Sequence, residues 1–153
     1  MRCLCLGFHD EAMWQALSDA ERQQLIDESL AYERTLRASG HVLDSKALEG
    51  SRTAITVRYS GGKATVTDGP FAETKEQLGG FMLLEAKDLN HAIQLMSCIP
   101  CMRVGGSVEI RPVNESINAE AITRDNSSPA IRALSQQPRS PENLQRDVDF
   151  SRT

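Results

Sequence analysis

The chain has 153 residues, 40% hydrophobic and 25% charged, which suits one globular domain with a core of useful size and some peripheral sequence. A formal net charge of −4 and a pI near 5.4 leave no basic footprint, which argues against direct nucleic-acid binding through phosphate neutralisation. No apolar run approaches the roughly 20 residues of a membrane span, and Met1-Arg2 leads straight into strand-like sequence, so a cytoplasmic protein without a membrane partner is expected.

Residues 2–8 read as a first strand with Cys3 and Cys5 on one face and Leu4 and Leu6 on the other; two apolar faces place it centrally. Ser18-Asp-Ala-Glu21 has capping-box spacing and Gly40 is a C-terminal stop, which predicts a helix over 19–39 with Leu25, Ile26, Leu30 and Leu36 on one stripe. A strand over 42–48 follows. Residues 53–59 alternate Ile55, Val57 and Tyr59 with Thr56 and Arg58, then turn through Ser60-Gly61-Gly62-Lys63 into a strand over 64–67, which makes a hairpin. Asp68-Gly69-Pro70 predicts a turn opening a charged loop that Gly79-Gly80 ends before a strand over 81–86. Asp88 caps a second helix carrying Leu89, Ala92, Ile93 and Met96, Pro100 marks its end, and Gly105-Gly106 admits a last strand over 107–111.

The order βαββββαβ is an α+β chain: a ferredoxin-like βαββαβ core with an extra β-hairpin. Two helices cover one face of such a sheet, yet Phe81, Met82, Leu83 and Leu84 place large apolar groups on both. A homodimer is the simplest cover for the second face. The competing cover is the segment 114–153, rich in Asn, Ser, Gln, Pro and Arg, which by itself should be flexible. In it Ser128-Pro129 and Ser140-Pro141 look like short helix starts, and Ile131, Leu134, Leu144, Val148 and Phe150 are the candidate anchors.

The chemistry-bearing candidates gather around the 68–76 loop. His9, Asp68, Glu73 and Lys75 are the candidate catalytic groups: a histidine at a strand end, carboxylates for acid or base work, and a lysine as charge partner. Tyr32, Phe71, Glu76 and Phe81 are the candidate ligand-binding residues. Each has a structural alternative: Asp68 as a turn former, Glu73 bonding a backbone amide or an arginine, His9 as a solvated loop residue. His41 suits a helix C-terminus and His91 the polar face of the second helix.

Cys98-Ile-Pro-Cys101 has the spacing of redox and zinc sites, but Cys98 closes a helix and meets the field that disfavours a thiolate. A zinc site completed by Cys3 and Cys5 has poor strand geometry, so reduced, buried thiols are expected, with no metal and no cofactor. No phosphate loop, nucleophile elbow or His-Glu-x-x-His pattern occurs.

Residues 68–81, Asp-Gly-Pro-Phe-Ala-Glu-Thr-Lys-Glu-Gln-Leu-Gly-Gly-Phe, resemble the signature of the YCII-related proteins, in the branch named for the motif that stands here as Asp68-Gly69-Pro70-Phe71. Met1-Arg-Cys-Leu-Cys-Leu6, Leu36-Arg-Ala-Ser-Gly40, Ile99-Pro100 and Val108-Glu-Ile-Arg-Pro-Val113 fall where that family has counterparts. The resemblance covers a domain over 1–113 and leaves 114–153 as a polar extension. It implies a ferredoxin-like subunit that pairs into a dimeric α+β barrel. Similar proteins include a dehydrochlorinase of a chlorinated aromatic, and members of this branch often sit beside genes for extracytoplasmic-function sigma factors. The His-Asp pair proposed for another branch finds no histidine in the helix over 19–39. The expected function is therefore binding of a small organic ligand in a barrel cleft, with proton-transfer chemistry of lyase or isomerase type. The alternative is a non-catalytic interaction or regulatory module linked to such a sigma factor.

Overall fold

The computed structural model describes residues 1–116 and the two-residue strand Val148–Asp149. The helix starts expected at Ser128 and Ser140, and the anchors Ile131, Leu134, Leu144 and Phe150, lie outside the described residues. The chain forms two compact units, Met1–Ala54 with Gly69–Val113, and Ile55–Asp68 with Asn114–Thr153.

The first unit runs β1 (Arg2–Asp10), α1 (Glu11–Ala16), α2 (Asp19–Ala38), β2 (Val42–Ala47), β5 (Glu76–Glu85), α3 (Leu89–Ser97) and β6 (Ser107–Pro112). Its sheet has the order β2-β5-β1-β6, with every neighbouring pair antiparallel. First and third core strands lie side by side in the centre and the second and fourth at the edges, the ferredoxin-like arrangement.

Local chemistry explains the helices. Ser18 caps α2 by accepting from the Glu21 N–H, while the Glu21 carboxylate accepts from the Ser18 N–H at 2.8 Å. Asp88 caps α3 by accepting from the His91 N–H at 2.8 Å. The buried stripe of α2 differs from the expected one: Leu25 and Leu36 are buried with Tyr32 packed beside the core, but Ile26 and Leu30 face solvent. Positions 25, 29, 32 and 36 follow the helical repeat, and 26 and 30 fall off it.

The core lies between these helices and one face of the sheet, where Cys3, Cys5 and Leu84 are fully buried against Leu36, Ala92 and Met96. Burying a leucine side chain of this kind contributes about 1.5–3 kcal/mol. Cross-strand partners share a face. Leu4 opposite Leu83 and Leu6 opposite Phe81 therefore occupy the face turned from the helices, and all four are half-buried.

Three expectations are corrected. Gly79 and Gly80 do not break the chain before β5 but stand inside it. Gly79 is the extra residue of a β-bulge, between the Gly7–Gly80 and Phe8–Leu78 pairs, and a Cβ on it would collide with the imidazole of His9. A Cβ on Gly80 would lie 2.8 Å from the Lys46 carbonyl oxygen of β2. His9, expected after the strand, is within β1 and half-buried. A six-residue helix, α1, stands where sequence gave only a connection, because Asp10 accepts from the Ala12 and Met13 N–H groups at 2.9 and 3.4 Å.

The second unit is the hairpin of β3 (Ile55–Ser60) and β4 (Lys63–Asp68), turned by Gly61 and Gly62 at φ 58° and 80°, with β7 (Val148–Asp149) parallel to β4. Ile55, Val57 and Tyr59 share one face of β3 and are 65%, 63% and 76% exposed.

Candidate functional site

Where β1 ends and β5 and β6 begin, three strand termini meet. Asp10 pairs with Glu76 across the β1–β5 ladder, and Phe8 pairs with Ser107 across the β1–β6 ladder. An open groove of about 500 Å³ lies here, lined by Phe8, Thr74, Lys75, Glu76, Ser107, Val108 and Glu109.

The segment before β5 is fixed by its own side chains. Gln77 Nε2 donates to the carbonyl oxygens of Thr74 at 2.7 Å and Ala72 at 3.3 Å, and Thr74 Oγ1 donates to the Glu76 carbonyl at 2.5 Å. This brings Lys75 Nζ to 3.6 Å from Asp10 Oδ2, while Ser107 Oγ donates to Glu76 Oε2 at 2.7 Å. Asp10 is 8% exposed and the one buried charged residue among those described. Its Oδ1 is held by the α1 cap, and Oδ2 faces the lysine. Like charges opposite one another in a ladder repel, so Asp10 and Glu76 as neighbours depend on these donors and on Lys75.

On the other side of His9, Glu11 accepts from the Ser51 backbone N–H at 2.8 Å and from Ser51 Oγ at 3.0 Å. These bonds, the backbone one foremost, hold its carboxyl below the usual carboxylate range, with His9 and Arg52 adding smaller charge effects. The His9 ring rests over Gly79, 6.1 Å from the Trp14 ring at 59°.

Of the candidates named from sequence, the structure brings Lys75 and Glu76 to the groove. His9 packs on Gly79 and Trp14 and is not among the lining residues. Glu73 is exposed in the loop before β5, and Asp68 ends β4 in the hairpin unit. Phe71 is 81% exposed. Phe81 is half-buried on the sheet face turned from the helices, paired with Leu6 and Lys46. Tyr32 stands on the helix side, where its hydroxyl donates to the Leu95 carbonyl at 2.8 Å and burial raises its pKa; it serves the packing of α2 on α3.

Phe8 and Ser107, which line the groove, and Asp10, which pairs with Lys75, were not among the candidates named from sequence. Asp10 carried a local signal, an aspartate before a helix-forming run, whereas Ser107 is 31 residues from Glu76 and carried none.

Cys3 and Cys5 are buried, and burial pushes the Cys5 thiol up to about 12. Cys101 is half-buried and also raised by burial, but Cys98 is exposed at the end of α3, against the expectation of a buried thiol. Among the described residues no three His, Cys, Asp or Glu side chains come together to hold a metal ion, and no helix is long and apolar enough to cross a membrane.

The sheet order and the helices on one face define a ferredoxin-like α+β domain. Residues 1–117 match the YCII-related domain, and the chain belongs to that family. It is 34% identical over 109 residues to an uncharacterized protein of Rhizobium meliloti (strain 1021), covering 71% of this chain and 88% of the relative. Among solved structures it is similar to the 5-chloro-2-hydroxyhydroquinone dehydrochlorinase of Burkholderia phenoliruptrix AC1100 in complex with 2,5-dihydroxybenzoquinone. That similarity has 16% identity and a TM-score of 0.43, and covers 76% of this chain and 98% of the dehydrochlorinase.

Proposed function

We propose that the groove at the common end of β1, β5 and β6 binds a small organic ligand and moves a proton on it, with chemistry of lyase or isomerase type. The observation that carries the reading is an exposed ammonium, Lys75, that lines the groove and is backed by a buried carboxylate, Asp10. Lys75 draws an anionic or electron-rich oxygen of the ligand, and Phe8 offers an apolar wall to its carbon frame. Glu76, steadied by Ser107, exchanges the proton. His9, Asp68 and Glu73 take no part in the transfer.

The test is a thermal-shift screen against a broad metabolite library, run on the wild type and on Lys75→Ala and Glu76→Gln. A bound ligand raises the melting temperature by mass action. A stabilising metabolite whose effect disappears in Lys75→Ala supports the site, and one that stabilises both variants as well as the wild type refutes it.

We also propose a homodimer in which a second copy covers the face of Leu4, Leu6, Phe81 and Leu83, since α2 and α3 cover only the other face. Light scattering coupled to size exclusion tests it: a dimer that Leu6→Asp splits is expected, and a monomeric wild type refutes it. The second reading, an interaction module for a partner such as an extracytoplasmic-function sigma factor, is favoured by the exposed Ile55, Val57 and Tyr59 face. A pull-down lost when these three become serine, with no ligand found in the screen, would favour it over the enzyme.

A further inference from the structure

We propose that His91, packed against His41, is a proton-operated latch on the link between β5 and the first turn of α3. The two imidazoles meet edge to face, with centroids 4.9 Å apart and planes at 83°, and both residues are half-buried. His91, expected on the polar face of the second helix, is half-buried against His41.

The hydrogen bonds fix where the protons are. Nδ1 of His41 lies 3.0 Å from the Glu85 carbonyl oxygen, which only accepts, so this nitrogen carries a proton and donates. Nδ1 of His91 has the opposite duty, accepting from the Lys87 backbone N–H at 3.2 Å, and so must be bare. Lys87 lies in the link between β5 and α3. One residue on, Asp88 accepts from the His91 backbone N–H at 2.8 Å. His91 thus ties this link twice, by its backbone to Asp88 and by its ring to Lys87.

A proton added to Nδ1 of His91 turns that acceptor into a donor aimed at another donor. The Lys87 bond is lost and replaced by repulsion. His41 presents a second imidazole edge to face. The carboxylates nearby are turned to other donors. The Asp88 carboxylate is committed to the cap, and the Glu85 carboxylate to the α-amino group of Met1 at 2.8 Å and Arg2 Nε at 3.4 Å. The latch is therefore closed with His91 neutral and opens when Nδ1 takes up a proton, the reverse of a histidine held by a carboxylate.

The experiment is a 15N and imidazole NMR titration from about pH 8 to about pH 5. The expected result is that the Lys87 amide shift moves with the midpoint of the His91 ring and that its exchange protection falls roughly five- to tenfold. In His91→Asn the side-chain oxygen stands near the place of Nδ1 and accepts at every pH, so the Lys87 amide should hold its shift throughout. A Lys87 amide that stays constant while His91 titrates in the wild type overturns the latch, as does a His91→Asn variant that titrates like the wild type. If that variant fails to fold, the agreement or disagreement of the two wild-type midpoints decides alone.

Discussion

Asp10 has two partners whose worth differs, and substitution separates them. Alanine removes the acceptor for the Ala12 and Met13 N–H groups and is expected to cost about 1–2 kcal/mol, as lost helix caps do. Asparagine keeps that acceptor and forfeits only the pair with Lys75, whose side chain is 84% exposed and 3.6 Å away. The pair is long and its lysine lies in solvent, which keeps its worth to about 1 kcal/mol although Asp10 is buried, so Asp10→Asn and Lys75→Ala should each cost less than Asp10→Ala. In melting temperature, Asp10→Ala should fall about 2–8 °C and the other two visibly less. Urea denaturation midpoints at neutral pH provide the same ranking. The reasoning fails if Asp10→Asn or Lys75→Ala destabilises as much as Asp10→Ala, since the charge pair and not the cap would then hold α1. Under the functional proposal Asp10→Asn, though folded, should lose ligand stabilisation in the thermal-shift screen.

Gly80→Ala should destabilise by about 1–3 kcal/mol, because the new methyl meets the Lys46 carbonyl at 2.8 Å and the Ala47 Cα at 3.4 Å, both backbone atoms of a paired strand; thermal melts check this. Titration with a thiol reagent at mildly alkaline pH should modify Cys98 first and leave Cys3 and Cys5 unreacted until the protein unfolds, as burial keeps those thiols protonated. Glu33 is held below the usual carboxylate range by its hydrogen bonds from Arg37 and then Ser45. A lowered carboxyl stabilises above its unfolded value, an effect lost as pH falls through the folded one, so Glu33→Gln should flatten the melting-temperature profile between about pH 5 and pH 3.

What was legible in the sequence was what short-range chemistry decides. Ser18 with Glu21 and Asp88 with His91 are bonds spanning three residues, and both caps stand where the spacing puts them. The element order followed from counting elements, and the central place of β1 from its two apolar faces. Gly79 and Gly80 misled for a tertiary reason: glycine in sequence signals a break, but here one makes room for a ring on β1 and the other for a carbonyl on β2. The candidate site was half legible. Lys75 and Glu76 belong to a visibly charged segment, whereas Ser107 joins them only because β6 flanks β1. Tyr32 was drawn to the loop by its chemistry alone, and its hydroxyl is spent on Leu95.

The Gly69 N–H donates to the Ala54 carbonyl at 2.8 Å, so the two points where the hairpin leaves and rejoins the first unit are already tied together. Whatever lies between them closes a loop whose ends meet regardless of its length, and loop-closure entropy grows only slowly with length. The main sheet therefore has a port: a place where evolution or an engineer can exchange a 14-residue excursion for a longer one, a shorter one or a reporter peptide, with little strain passed to the strands on either side.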